Sequence, residues 1–239
     1  MSRVAEFATL WRMVRGLPDA GSHAARLEAF YRPQATHYDA FRERLLVGRS
    51  RMLRALALRA GQRVVELGAG TGRNAEYFAE VVPELASLTL VDLCPALLEQ
   101  ARARAARWPN CRVVEADAAT YRDRGVERVY FSYALTMMPD WRSVLDNALA
   151  MLAPDGLLGV VDFYVSEARP PRGYATHGPW TRRFWPWWFA HDGVQLHGQI
   201  LRRLHERLDL EFLHEGHAPL PWLPGLRVPY FIFIGRPRR

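Results

Sequence analysis

The chain has 239 residues, about half of them apolar, and all 32 of its basic residues are arginine. The absence of lysine excludes a P-loop lysine, a Schiff-base lysine and a kinase-type strand lysine. Cys94 and Cys111 are too few for a disulfide framework, and no His/Cys/Asp/Glu cluster has metal-ligand spacing, so we expect no metal and a reducing compartment. Neither a signal peptide nor an apolar run of roughly 18 residues is present, and we therefore expect a cytoplasmic location.

The charge is unevenly distributed along the chain. Residues 1–61 and 165–239 carry net charges of +6 and +5, whereas residues 62–164 carry −4. This distribution indicates that the two ends, and not the middle, face an anionic partner. A solvated basic surface without a partner explains the charge equally well.

In chain order, residues 24–60 are mainly helical, with an interruption at Pro33. From residue 62 onward, short apolar runs alternate with helical stretches, which predicts crossover connections and a mostly parallel sheet covered on both faces. The predicted strands are 63–70, 88–93, 111–117, 128–135 and 157–164, and the predicted helices between them are 71–82, 95–108 and 141–153.

After the fifth strand the pattern changes. Residues 165–192 are rich in proline and aromatic residues and are expected to be irregular, followed by a helix at 193–208 and strands at 210–217 and 228–235. We expect one domain of 239 residues with four parts. They are a helical cap (1–61), a core (62–164), an inserted aromatic lid (165–192) and a closing unit (193–239).

The strongest chemical signal is the glycine-rich turn "VVELGAGTGRN" at residues 64–74. Glycines 68, 70 and 72 fall where a strand turns into a helix, and they allow positive φ and close approach of a ligand to the backbone. A dinucleotide fingerprint would place its third glycine at position 73, where Arg73 stands. Glu66, just before the turn, would repel a pyrophosphate but suits a ligand that carries an ammonium and a sulfonium.

Acidic residues also close the next two predicted strands. Asp92 ends the second strand, where a carboxylate can accept both hydroxyls of a ribose. Asp117 ends the third strand, where it could accept the amino group of adenine while Ala118 offers its backbone N–H.

With these residues the chain resembles the class I S-adenosylmethionine-dependent methyltransferases, over about 62–164 and the last two strands. The resemblance implies an α/β, Rossmann-like sheet of seven mostly parallel strands with N-terminal helices, in which "VPYFIFIG" is the reversed strand. It also implies S-adenosylmethionine as cofactor and S-adenosylhomocysteine as product. The cofactor-binding residues that we expect are Tyr38, Arg49, Glu66, Gly68, Ala69, Gly70, Asn74, Asp92, Leu93, Asp117, Ala118 and Ser132.

The segment "YFSYALTMMPDW" (130–141) after the fourth strand is expected to line the methyl-transfer site. It lacks the Asp/Asn/Ser-Pro-Pro-aromatic tetrad of enzymes that methylate nucleobase amino groups, so we expect no nucleic-acid substrate. It also lacks the extra acids of metal-dependent catechol methyltransferases, because none occurs before Asp140.

Four stretches together resemble the betaine-lipid N-methyltransferases: "FYRPQATHYDAFRERLLVGR", "VELGAGTGRN", "YFSYALTMMPDW" and "DFYVS…RRFWPWWFAHDGVQL". This resemblance spans most of residues 28–200. It implies trimethylation of the amino group of diacylglyceryl homoserine, and a partner enzyme that supplies this lipid. Phosphatidylethanolamine N-methyltransferases of bacteria are looser relatives.

Methyl transfer to nitrogen mainly requires alignment, exclusion of water and a neutral amine. Tyr133 is our first candidate to accept the proton, and Tyr31 and His37 are further catalytic candidates that could close over the site with Tyr38. Packing of the N-terminal helices against the sheet explains Tyr31, His37 and Tyr38 equally well. His191 and Asp192 could touch a polar head group or cap the helix that starts near 193, and for Asp192 we expect capping.

The aromatic lid combines rings that favour a membrane–water interface with arginines that can meet lipid phosphates. We therefore expect the protein to lie peripherally on the inner face of an anionic membrane, although the rings could instead wall an acyl pocket. Two other functions stay open: an N- or O-methyltransferase of a small hydrophobic molecule, and a non-catalytic module that binds S-adenosylmethionine. The lid residues concerned are Trp180, Arg182, Arg183, Phe184, Trp185, Trp187 and Trp188.

Overall fold

The computed structural model describes residues 21, 23–32, 43–191, 193–220 and 225–238. Three residues with expected roles, His37, Tyr38 and Asp192, lie outside this part of the chain.

One seven-stranded sheet has the order β3-β2-β1-β4-β5-β7-β6. Neighbours from β3 to β5 are parallel, whereas β7 runs antiparallel to both β5 and β6. The predicted mostly parallel sheet and its reversed strand "VPYFIFIG" are thereby confirmed. The strands are β1 (Arg63–Leu67), β2 (Ser87–Asp92), β3 (Cys111–Glu115), β4 (Val126–Ser132), β5 (Leu152–Phe163), β6 (Leu208–Pro219) and β7 (Arg227–Pro237).

Helices cover both faces of the sheet, as short crossovers between parallel strands require. Strand side chains alternate between the two sides: Tyr130 and Ile232 join one buried apolar cluster, and Phe131 and Phe233 join the other. The helices are α1 (His23–Tyr31), α2 (Arg49–Leu56), α3 (Pro95–Ala105), α4 (Trp141–Met151), α5 (Pro179–Ala190) and α6 (Gln199–Arg207).

The segment predicted as a helix at 71–82 is wound more tightly. It forms two 3₁₀ stretches, Arg73–Phe78 and Val82–Glu84. Gly72 precedes the first stretch in the left-handed region, and Pro83, which has no backbone N–H, lies in the second.

The two expectations for the region after β5 need correction. Residues 179–190 were expected to be irregular, but they form the α-helix α5. Pro179 stands at the start of this helix, where its missing N–H costs nothing, and only Pro186 interrupts the hydrogen-bond ladder. The helix predicted at 193–208 begins only at Gln199, because residues 193–198 run as a loop that includes Gly193 with φ 71°.

Within the described ranges, no helix has both the length and the apolar character needed to cross a bilayer.

Candidate active site

A cavity of about 250 Å³ opens where β1, β2, β3 and β4 end. Ligands of open α/β sheets bind in this position, beyond the carboxyl ends of parallel strands. The residues that line it come from the glycine turn, the ends of β2 and β3, the segment after β4, and helices α1, α3 and α4. They are Tyr31, Gly68, Gly70, Val91, Asp92, Leu93, Leu97, Ala116, Asp117, Ala118, Ala119, Tyr133, Ala134, Met137, Met138, Pro139, Asp140 and Val144.

Asp92 ties the glycine turn to the second strand. Its Oδ2 accepts a hydrogen bond from the backbone N–H of Gly70 at 2.7 Å, and its Oδ1 accepts one from Cys94 N–H at 2.9 Å. Gly70 has φ 55°, and a Cβ at this position would meet only Leu97 Cδ1, at 3.8 Å. The turn therefore keeps its backbone open to the cavity, with a fixed carboxylate beside it.

The part of the cavity that contains Asp92 and Asp117 suits a nucleoside. The lining also includes the apolar residues Leu93, Leu97 and Ala118, of which Leu93 and Ala118 directly follow Asp92 and Asp117. Asp117 lies on the exposed side, where its Oδ1 accepts from Ala119 N–H at 2.8 Å. Apolar side chains together with two carboxylates suit an adenosine, with Asp92 available to the ribose and Asp117 to the base.

A second group of the predicted residues lies beneath the turn and not on the cavity wall. Glu66 is fully buried, accepting from Asn74 Nδ2 at 2.6 Å and from Tyr130 Oη at 2.8 Å. Arg49 is also buried and donates weakly to Asn74 Oδ1 at 3.5 Å. Burial raises the pKa of Glu66 to about 7, against hydrogen bonds that lower it. These hydrogen bonds stabilise the glycine turn from its buried side.

Tyr133 lines the cavity immediately after β4, with a backbone φ of 54°. Such a conformation is costly for a bulky residue and marks a position held by its surroundings. Its hydroxyl donates to the carbonyl of Val47 at 2.7 Å, and burial raises its pKa well above the usual range. Both observations argue against the proton-accepting role expected for this hydroxyl, because it is already engaged and resists ionisation.

The side of the cavity after β4 is apolar at depth and acidic at its rim. Met137 and Met138 line it, and Tyr31 of α1 reaches across so that its Oη lies 3.5 Å from Met137 Sδ. Asp140 caps α4 by accepting from Ser143 N–H at 3.3 Å, and hydrogen bonds from Ser143 hold the pKa of this carboxyl below its usual value. We name this side, residues 133–140, the acceptor wall.

The predicted site residues thus separate into three sets. Eight line the cavity: Tyr31, Gly68, Gly70, Asp92, Leu93, Asp117, Ala118 and Tyr133. Arg49, Glu66, Ala69, Asn74 and Ser132 are buried but lie outside its lining, and His37 and Tyr38 fall outside the described residues. Met137 and Met138 belong to the segment 130–141 that was expected to line the site, although the sequence analysis did not single them out.

The sheet order, the glycine turn and the paired carboxylates are those of a class I methyltransferase. Residues 64–156 match the family described as "Methyltransferase domain". Residues 64–156 therefore form a methyltransferase domain of the class I fold, and the S-adenosylmethionine cofactor expected from the sequence is confirmed.

Curated relatives carry several substrates in their names. Trans-aconitate 2-methyltransferase of Methylobacterium radiotolerans is 32% identical over 133 residues, which cover 54% of this chain and 50% of that protein. Demethylmenaquinone methyltransferase of Clavibacter sepedonicus is 28% identical over 168 residues, covering 65% and 66%. The chain spans about half the length of the trans-aconitate methyltransferases that it matches.

Solved structures share the fold at low identity. The 1,6-didemethyltoxoflavin-N1-methyltransferase of Burkholderia thailandensis, solved with S-adenosylhomocysteine, has a TM-score of 0.62 at 22% identity and covers 93% of this chain and 94% of its own. The N-methyltransferase NodS of Bradyrhizobium japonicum, in complex with S-adenosylhomocysteine, has a TM-score of 0.57 at 19% identity, with coverages of 80% and 86%.

Proposed function

We propose that the protein is an S-adenosylmethionine-dependent N-methyltransferase whose acceptor is the amino group of a lipid, most specifically diacylglyceryl homoserine. The charge of the cavity is the observation that supports an amine as the acceptor. Its described lining holds three carboxylates and no arginine or histidine, in a chain with 32 arginines. These carboxylates attract the ammonium of an amine acceptor, whereas an acceptor that carries carboxylates and no ammonium would meet only like charge there.

The acceptor wall then prepares the amine for reaction. S-adenosylmethionine, when bound, supplies a methyl group already activated on a sulfonium. Asp140 is exposed at the rim and attracts the cationic form of the amine, while the buried Tyr133 and the Met137 side chain strip water from it. Desolvation lowers the pKa of an amine, and the neutral form with its free lone pair is the nucleophile.

A continuous series of aromatic rings leads from the cavity to the surface and supports a lipid acceptor. Tyr133 contacts Phe163 with ring centroids 4.5 Å apart, and Phe163 contacts Phe189 of α5 at 5.2 Å. Phe189 in turn neighbours Trp185 at 6.0 Å. The rings continue through Phe184 to Trp180, at 4.9 and 4.3 Å. Phe163, Trp185 and Phe189 are buried in the core, so an acyl chain would contact this series at its outer end, at Phe184 and the exposed Trp180.

The outer face of α5 supports a membrane as the place where the lipid is met. Trp180 and Trp187 are 64% and 61% exposed and lie seven residues apart, with Arg183 between them on the same face. All four arginines of residues 165–191 lack an ion pair within the described chain, although most other described arginines have one. They are Arg169, Arg172, Arg182 and Arg183. Exposed tryptophans and free guanidinium groups fit an anionic bilayer surface.

Lipid mass spectrometry tests the acceptor. A host that makes diacylglyceryl homoserine is compared with one that does not, each expressing the wild-type chain or Asp92→Ala, which removes the carboxylate that holds Gly70. We expect lipids heavier by one to three methyl groups only when the lipid and the wild-type chain are both present. Methylation of a water-soluble molecule instead would support a small-molecule enzyme, and cofactor binding without any methylated product would support a non-catalytic module.

A further inference from the structure

The acceptor wall is held in place by one buried carboxylate that lines no part of the cavity itself. Asp162, near the end of β5, accepts from the backbone N–H of Thr136 at 3.1 Å and from the Thr136 hydroxyl at 2.7 Å. It also accepts from Phe163 N–H at 2.9 Å. Thr136 is the central residue of the 3₁₀ turn Leu135–Met137, whose last residue lines the cavity.

Asp162 depends on its hydrogen bonds to offset the cost of burial. Asp162 is fully buried, and no arginine or histidine in the described part of the chain forms an ion pair with it. A titratable group that interacts with it electrostatically is Tyr133, also buried and also part of the acceptor wall. A buried carboxylate without a counter-charge destabilises a fold relative to an apolar side chain of similar size, unless its hydrogen bonds offset the desolvation.

The same turn is attached on its other side to the segment that follows α5. The carbonyl of Thr136 accepts from Gln195 N–H at 2.7 Å. The preceding residue, Val194, donates to the carbonyl of Phe189 within α5 at 3.1 Å. The N–H and the hydroxyl of Thr136 are therefore bonded to β5, and its carbonyl is bonded to the segment that follows α5. These bonds fix the position of the neighbouring Met137.

We propose that Asp162 and Thr136 are positioning residues for the acceptor: they set where Met137 and Met138 stand and so the shape of the acceptor side, while cofactor binding does not depend on them. The inference rests on the proposed function of this cavity as a methyl-transfer site. Asp92 and Asp117, the carboxylates that would hold the cofactor, lie at the ends of β2 and β3 and share no hydrogen bond with Asp162.

Methionine methyl NMR tests this placement without knowledge of the acceptor. The chain is labelled with ¹³C at the methionine ε-methyl groups, and Thr136→Val is compared with wild type in the presence of S-adenosylhomocysteine. Valine keeps the shape of threonine and removes the hydroxyl that donates to Asp162. We expect the Met137 and Met138 signals to shift and broaden while that of Met52, buried beneath the sheet, stays unchanged. Affinity for S-adenosylhomocysteine should stay within about twofold.

Three comparisons separate positioning from a general loss of structure. Thr89→Val removes a different fully buried hydroxyl, one that accepts from Arg112 Nε at 2.7 Å, and should leave Met137 and Met138 unmoved. Thr136→Ser, which keeps the hydroxyl, should restore the wild-type signals. Asp162→Asn keeps a carbonyl oxygen and should give an intermediate shift. Unmoved Met137 and Met138 signals in Thr136→Val, or a parallel loss of cofactor affinity, would overturn the proposal.

Enzymology adds a second readout once methylated lipid is detected. In Thr136→Val we expect the KM for the acceptor to rise at least fivefold, with the KM for S-adenosylmethionine unchanged. If no lipid is methylated by the wild type, the proposed acceptor fails, but the NMR result still decides whether Asp162 and Thr136 position the wall. If the lipid is methylated and the acceptor KM of Thr136→Val equals that of the wild type, the positioning role fails while the proposed function stands.

Discussion

Gly68 and Ala134 meet across the entrance of the cavity, and the contact leaves no room for a side chain on the glycine. A Cβ built on Gly68 would lie 2.4 Å from the Cβ of Ala134. The first glycine of the turn therefore packs directly on the start of the acceptor wall. The two halves of the site, one for the cofactor and one for the acceptor, are joined at this point.

Gly68→Ala should disrupt both halves. The residue has φ 75°, which costs a side chain about 1 kcal/mol, and the clash with Ala134 adds to this. Gly61 has the same φ of 75°, and a Cβ added to it would have no atom within 4 Å, so Gly61→Ala is a matched control for the backbone cost alone. We expect calorimetry to show affinity for S-adenosylmethionine reduced at least tenfold in Gly68→Ala and unchanged in Gly61→Ala. Equal effects in both variants would mean that the contact with Ala134 is unimportant.

Tyr133→Phe distinguishes a structural hydroxyl from a catalytic one. The change leaves the Val47 carbonyl without its donor and should reduce the free energy of unfolding by about 1–2 kcal/mol. Methyl incorporation into lipid at saturating substrates should fall less than about threefold, whereas removal of a general base commonly costs about 10²–10⁴-fold. Tyr31→Phe is the companion variant on the opposite side of the cavity. A hundredfold loss of methyl incorporation in Tyr133→Phe would show that this hydroxyl takes part in catalysis.

Glu66→Gln should change how stability depends on pH. Because the pKa of Glu66 is raised from 4.5 to about 7 in the folded state, the folded chain binds more protons than the unfolded chain between these values. Stability is therefore lost as pH rises through this window, by at most about 3 kcal/mol, and changes no further above it. Denaturant unfolding at pH 5 and pH 8 should show a smaller loss in Glu66→Gln than in wild type.

A suitable control for this experiment is Glu115→Gln, which alters a half-exposed carboxylate on β3. Its unfolding curves should follow those of the wild type at both pH values. If Glu66→Gln also follows the wild type, the buried carboxyl does not titrate in this window.

The outer face of α5 should bind anionic vesicles. Arg183→Glu is expected to weaken sedimentation with phosphatidylglycerol vesicles at least fivefold at low salt, since each basic residue near such a surface contributes about 1 kcal/mol. Trp180→Ser/Trp187→Ser should weaken binding at low and high salt alike, because its contribution is apolar. Leu210→Ser removes an exposed apolar side chain on β6, 43% exposed, and should have no effect. Absence of binding by the wild type would exclude the membrane surface as the place of reaction.

Much of the fold followed from local patterns. Short apolar runs and the glycine turn predicted the order of strands and helices through β5, because each pattern repeats with the period of its own element. The two carboxylates Asp92 and Asp117 were found for the same reason, since the ends of parallel strands share one edge of the sheet.

What was missed depends on tertiary contacts or on misread prolines. Residues 180, 184, 187 and 191 have helical spacing, but the two prolines favoured an irregular segment. Pro179 is the first residue of α5, and only Pro186 lies in the interior of the helix. Glu66 was expected to face the ligand, yet it turns inward because Asn74 and Tyr130 offer donors there. Tyr130 comes from another strand, a distance of 64 residues along the chain, which no local pattern reveals.

The position of β7 has a consequence for the order of folding. β6 is hydrogen-bonded to β7 and to no other strand in the sheet order, although it is synthesised before β7. Until residues 227–237 leave the ribosome, β5 has an open edge on that side and β6 has no strand to pair with. Because β1 to β4 all precede β5 along the chain, every strand whose end lines the cavity is synthesised before β7 closes that edge of the sheet.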